Sequence, residues 1–159
     1  MSVWCIQVYG LLCNDMKMIN ITGQRGIGKT EVALRVAEYA RERYTFSRLL
    51  QVEFDKIPTC AEKVSLEKLT NAFGMSPETV FTAIERVDIE ASVDHIRGGV
   101  RPDEKVLLIL DGVDSWLKKR REFFLSLVIR LRQRLGDVLW IILTSQHYVS
   151  LAVEMGSYI

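Results

Sequence analysis

The chain has 159 residues and a mass of 18.2 kDa, with 48% hydrophobic and 26% charged residues. That balance fits a single domain with a real core and excludes a disordered or fibrous chain. Lys plus Arg number 21 against 20 Asp plus Glu, and a formal net charge of +1 gives no overall field to recruit nucleic acid, so no nucleic-acid partner is expected.

Cys5, Cys13 and Cys60 lack the CxxC spacing of a zinc or redox site and read as reduced thiols. Residues 1–15 form an apolar N-terminal segment with neither a basic lead nor a small-residue cleavage site. No window reaches the roughly 18 apolar residues of a membrane span. A cytoplasmic protein without membrane contact is the expectation.

From residue 16 onward short apolar runs alternate with helical patterns, which is the mark of a parallel α/β sheet. MKMINIT, residues 16–22, predicts a first strand ending at Gly23, and residues 29–44 predict a helix through Val32, Ala33, Val36, Ala37 and Ala40. Residues 48–55 (RLLQVEFD) predict a second strand stopped by Pro58. Two or three helices fit residues 59–97, with a capping-box spacing at Thr59 and Glu62, a stop at Phe73-Gly74 and a start at Ser76-Pro77. KVLLILD, residues 105–111, is a nearly continuous apolar run, as expected of a strand covered on both faces. A helix over residues 116–135 stops at Gly136, and VLWIILT, residues 138–144, predicts the next strand. The residues after Ser150 are too few for a further α/β unit.

Gly23-Gln24-Arg25-Gly26-Ile27-Gly28-Lys29-Thr30 matches G-x-x-x-x-G-K-[ST] between a strand and a helix. The glycines let backbone N–H groups turn inward around phosphate oxygens, and the helix N-terminus adds a positive dipole end. Lys29 supplies a point charge for the β and γ phosphates, and the Thr30 hydroxyl is placed to ligate Mg²⁺. Asp111, closing an apolar strand, is the acid that holds the metal through water. Asp114 reads either as the residue that orients or deprotonates the attacking water or as a helix cap. Thr144, in Thr144-Ser145-Gln146 at the next strand end, reads as a γ-phosphate sensor or as a turn. The basic run Lys118-Lys119-Arg120-Arg121 and Arg130, Arg132 and Arg134 read as a solvated helix face.

The order and spacing of G-Q-R-G-I-G-K-T, L-L-I-L-D-G-V-D and W-I-I-L-T-S-Q resemble those of the signal-transduction NTPases with numerous domains, above all the NB-ARC nucleotide-binding domain, with the Asp-Gly-x-Asp form also similar to the NACHT branch. The resemblance implies a three-layer P-loop NTPase of the ASCE type spanning 16–159. It implies a mostly parallel sheet with strands 2-3-4-1 and the fifth strand missing or incomplete, residues 149–159 resembling the helix that follows the sensor strand. It also implies a switch that binds ADP or ATP with Mg²⁺ and self-associates or engages protein partners through a parent protein, hydrolysing slowly or not at all in isolation. Gly23, Gly26, Ile27, Gly28, Lys29, Thr30 and Thr144 would hold the nucleotide, and Thr30 and Asp111 the metal, with Asp111 and Asp114 as the acids of catalysis. The alternative is an autonomous AAA-type ATPase. Gln146 stands where NB-ARC members usually carry arginine, and the chain reads as a fragment of a larger receptor-like protein.

Overall fold

Two runs, VLLILD and LWIILTS, are apolar at almost every position, and such runs can form strands only if both faces are covered. In the computed structural model, which describes residues 2–149, they are β3 (Val106–Asp111) and β4 (Leu139–Ser145), and every residue of both is buried. With β1 (Met18–Thr22) and β2 (Arg48–Glu53) they form one parallel sheet in the order β1-β4-β3-β2. This is the order expected from the resemblance. Residues 150–159, which belong to the segment resembling the helix after the sensor strand, lie outside the described residues, as does the expectation of a missing or incomplete fifth strand.

The strand period of two divides these runs between two cores. Leu107, Ile109, Trp140 and Ile142 face α1 (Val3–Cys13) and α2 (Lys29–Glu42), where Ala33, Val36, Ala37 and Ala40 keep α2 close to the sheet. Val106, Leu108, Leu110, Leu139, Ile141 and Leu143 face the opposite layer of α3 (Glu62–Ala72), α4 (Pro77–Glu85), α5 (Ile89–Gly98), α6 (Asp114–Lys119) and α7 (Arg121–Leu135). The result is a sheet between two helical layers.

The N-terminal apolar segment is itself a helix. Ser2 Oγ caps α1 by accepting the Cys5 N–H at 3.3 Å, and Cys5, Val8 and Leu12 pack against α2. Its other face leaves Val3, Trp4 and Ile6 exposed.

Three local expectations are corrected. The helix predicted over 116–135 is two helices, because Arg120 leaves the helical region at φ −139° and its backbone both closes α6 and opens α7. No Gly or Pro marks that break; the burial of Trp116 under Phe54 and Phe124 under the sheet sets the two helices apart. The capping box at Thr59 and Glu62 does not form, since Thr59 sits at φ 54° with its hydroxyl on the Pro58 carbonyl, and α3 starts after Ala61. The second strand stops at Glu53, and Phe54–Lys56 turn into a 3-10 helix. The Gly74 stop is realised in the left-handed conformation at φ 76°.

Cys5 and Cys60 are buried, Cys13 is exposed, and all three are free thiols. Arg130 and Arg134 on α7 pair with Glu90 and Asp94 on α5 at 3.1 and 2.8 Å, as a solvated helix face would. No helix among the described residues is long and apolar enough to cross a membrane.

Candidate functional site

Parallel strands end together, so side chains just past the carboxyl ends of β1, β3 and β4 converge on one edge. Gly23 N–H bonds the Ser145 carbonyl at 3.3 Å and pins the start of the phosphate loop to β4. The loop ends at Gly28, whose φ of 98° only glycine adopts without strain and which caps α2 from the left-handed region. The first intrahelical bond is Val32 N–H to the Gly28 carbonyl, which leaves the first-turn amides of α2 to face outward. Lys29 Nζ donates to the Gly23 and Gln24 carbonyls at 2.7 and 2.8 Å and so lies folded over the loop. An ammonium has three donors, so one remains for a phosphate oxygen.

Across the cleft, Asp111 is 5% exposed. Its Oδ1 accepts from Thr30 Oγ1 at 2.8 Å and from Thr144 Oγ1 at 2.5 Å. Thr144 Oγ1 in turn accepts the Gly112 N–H at 2.8 Å. Residues 81 positions apart thus share one hydroxyl–carboxylate contact beside Lys29. This donor set fits Mg²⁺, a hard cation that takes one hydroxyl or carboxylate oxygen and keeps most of its waters. Thr30 and Asp111 would hold it, and bound there it would neutralise phosphate charge.

Lys29, Thr30, Asp111, Asp114, Thr144, Gly26 and Gly28 all line one open cleft of about 620 Å³. Ile27 is 69% exposed and turns instead to an adjoining apolar groove of about 390 Å³, which shares Gly28 and Lys29 with the cleft and where Trp4, Val8 and Leu11 of α1 meet β1. Asp114 Oδ1 accepts the Gln146 N–H at 2.7 Å and ties the start of α6 to the end of β4. Thr144 is 1% exposed, and its hydroxyl is engaged with Asp111 and Gly112.

The sequence reading missed Asp55. Its side chain lines the same cleft, and burial, followed by the neighbouring Asp111 charge, pushes its carboxyl above the ordinary aspartate value. The available signal was Gly112, which stands beside the strand-end acid where a side chain would compete for this space. A Cβ on Gly112 would lie 2.6 Å from Asp55 Cβ, and Gly112 sits at φ 69°. Gly112→Ala is therefore expected to lower stability by about 1–3 kcal/mol, read as a shifted urea midpoint. A midpoint equal to that of the wild type would contradict the close approach.

Asp111→Asn is expected to leave the fold intact, because an amide oxygen still accepts from Thr30 and Thr144. The Mg²⁺ enhancement of ATP binding should fall by about 10–100-fold, measured by titration with Mg²⁺ and with chelator.

No protein-family model matches this chain, and no curated protein matches it. Solved structures do. A Cdc6 protein from Pyrobaculum aerophilum superposes with a TM-score of 0.62 at 18% identity over 97% of this chain and 42% of its own. The ORC2 protein of Aeropyrum pernix, solved in ADPNP–ADP complexes, gives 0.58 at 21% identity over 89% and 40%. A chain from the structure of Drosophila ORC bound to AT-rich DNA and Cdc6 gives 0.56 at 13% identity over 98% and 51%. At these identities the likeness is one of fold. This chain has the α/β fold of the phosphate-loop NTPases, with a parallel four-stranded sheet, and it spans about two fifths to half the length of these neighbours.

Proposed function

We propose that this chain is a nucleotide-binding switch module that holds ADP or ATP with Mg²⁺ and turns ATP over slowly on its own. The observation that carries this reading is the 2.8 Å contact between Thr30 Oγ1 and Asp111 Oδ1 beside Lys29. It brings a hydroxyl at the end of the glycine-rich loop and a strand-end acid, 81 positions apart, to one point beside Lys29, as a shared metal site would require. Positioning and electrostatics supply nearly all of phosphoryl-transfer catalysis. The cleft is wide and open to solvent, which favours retention of nucleotide over rapid hydrolysis. In the finer form of this proposal the module belongs to an NB-ARC-like or NACHT-like signalling protein, and the nucleotide state governs self-association or a protein partner.

A second reading, an autonomous AAA-type ATPase, is favoured by the likeness to Cdc6 and ORC2 over most of this chain. Titration with fluorescent ADP and ATP, with and without Mg²⁺, alongside a long-incubation hydrolysis assay separates the two. Micromolar or tighter binding with slow turnover supports the switch. Brisk turnover favours the ATPase, and a folded chain that binds neither nucleotide refutes both.

A further inference from the structure

We propose that Asp55 is the catalytic carboxylate that orients the water attacking the terminal phosphate. The proposal rests on the phosphate-loop reading above and deepens it. Glu53, the last residue of β2, stands opposite Asp111 in the sheet register, so the residues just past β2 reach the edge of the cleft. There Phe54 is fully buried, and its carbonyl accepts the Trp116 Nε1–H at 3.0 Å. That anchor fixes the 3-10 turn Phe54–Lys56 and presents Asp55 to the cleft.

Gly112 makes room for it. A Cβ built there would lie 2.7 Å from Asp55 Cγ and 3.0 Å from Oδ1, so the carboxyl occupies the volume into which a side chain beside Asp111 would project. The other three acids of the cleft are engaged: Asp111 Oδ1 accepts two threonine hydroxyls, Asp114 Oδ1 accepts the Gln146 amide, and Glu31 Oε1 accepts from Arg35 Nε at 2.7 Å. Among the described residues, no other residue hydrogen-bonds the Asp55 carboxyl, which leaves its acceptor positions open to a water.

In the step itself the water oxygen bonds the γ-phosphorus while the bond from that phosphorus to the β,γ-bridging oxygen breaks. The water proton passes to the Asp55 carboxylate and on to solvent, releasing ADP and phosphate. General-base assistance of this kind accounts for about 10²–10⁴-fold in rate.

The test compares the whole 159-residue chain with Asp55→Asn, Asp55→Glu and Asp114→Asn. Titration gives the affinities for ATP, ADP and ADP with aluminium fluoride, the last a flat mimic of the phosphoryl group in transfer with its in-line water. Single-turnover incubation gives the rate. Asp55→Asn is expected to slow turnover by about 100-fold and to weaken the aluminium fluoride complex by about tenfold or more. ATP and ADP affinities should stay within about threefold, and Asp55→Glu should restore part of the rate.

Unchanged turnover in Asp55→Asn overturns the proposal, as does an equal loss of ground-state ATP affinity. So does loss of turnover in Asp114→Asn while Asp55→Asn remains normal, or a wild-type chain that binds ATP and never hydrolyses it. A wild-type chain that binds no nucleotide fails at the titration, before any variant is compared, and refutes the phosphate-loop reading itself.

Discussion

Lys29→Ala should weaken binding of both ATP and ADP by about 100-fold or more while the domain remains folded. On the proposed reading Lys29 is the cation that the loop would place beside the phosphates, and a hydrogen bond from a charged donor contributes roughly 1.5–3 kcal/mol. Loss of that remaining charged hydrogen bond together with the Coulomb attraction of the ammonium to the phosphates therefore costs about 3 kcal/mol or more, which is two decades of affinity. The fold loses little. The two bonds removed go to the Gly23 and Gln24 carbonyls of a surface loop, which water can satisfy, and alanine is a better helix former than lysine at the first position of α2. Titration with fluorescent nucleotide reads the affinity, and a thermal melt should lie within about 2 °C of the wild type. Equal affinities in the two proteins would remove the phosphate loop from the account.

Trp116→Ala is expected to cost the most stability. The indole is fully buried, packs edge-on against Phe54 at a centroid distance of 5.2 Å and lies 5.8 Å from Phe123. Truncating such a ring costs about 3–5 kcal/mol, and the Phe54 carbonyl loses one of its two donors, keeping the Ile57 N–H, at a further cost of up to roughly 1 kcal/mol. That is a large share of the 5–15 kcal/mol typical of a whole domain. Trp116→Phe separates the two contributions, since it keeps an aromatic ring and loses only the N–H bond and some volume; about 1–2 kcal/mol is expected. Urea unfolding measures both. A cost below about 1 kcal/mol for Trp116→Ala would show that the site refills and that Trp116 does not anchor the turn carrying Asp55.

The cleft residues differ in how plainly the sequence announces them. Gly23 through Thr30 are contiguous, and their spacing reports a loop whose mechanics are local: backbone amides, a helix start and one lysine. Asp111 was legible because it ends an apolar run with no alternation. Asp55 was not legible, because its place in the cleft depends on the register of β2 against β3 and on the Phe54–Trp116 contact, neither of which leaves a period or motif. Thr144 lay between the two cases. Its position at a strand end was readable, but its hydroxyl's engagement with Asp111 and Gly112 came from β3 and β4 lying side by side. The same holds for Asp114, whose bond to the Gln146 amide joins segments 32 residues apart.

Local physics and periodicity thus determined the class of this protein. Runs such as VLLILD cannot face water on either side, and G-Q-R-G-I-G-K-T can wrap a polyanion wherever a strand and a helix flank it. The break at Arg120, the failed capping box at Thr59 and the helical packing of residues 3–13 on α2 were decided by the tertiary structure. In each case burial of large apolar side chains outweighs local preferences of a few tenths to about 1 kcal/mol. Contacts between distant strands also decide which carboxylate is left with open acceptors.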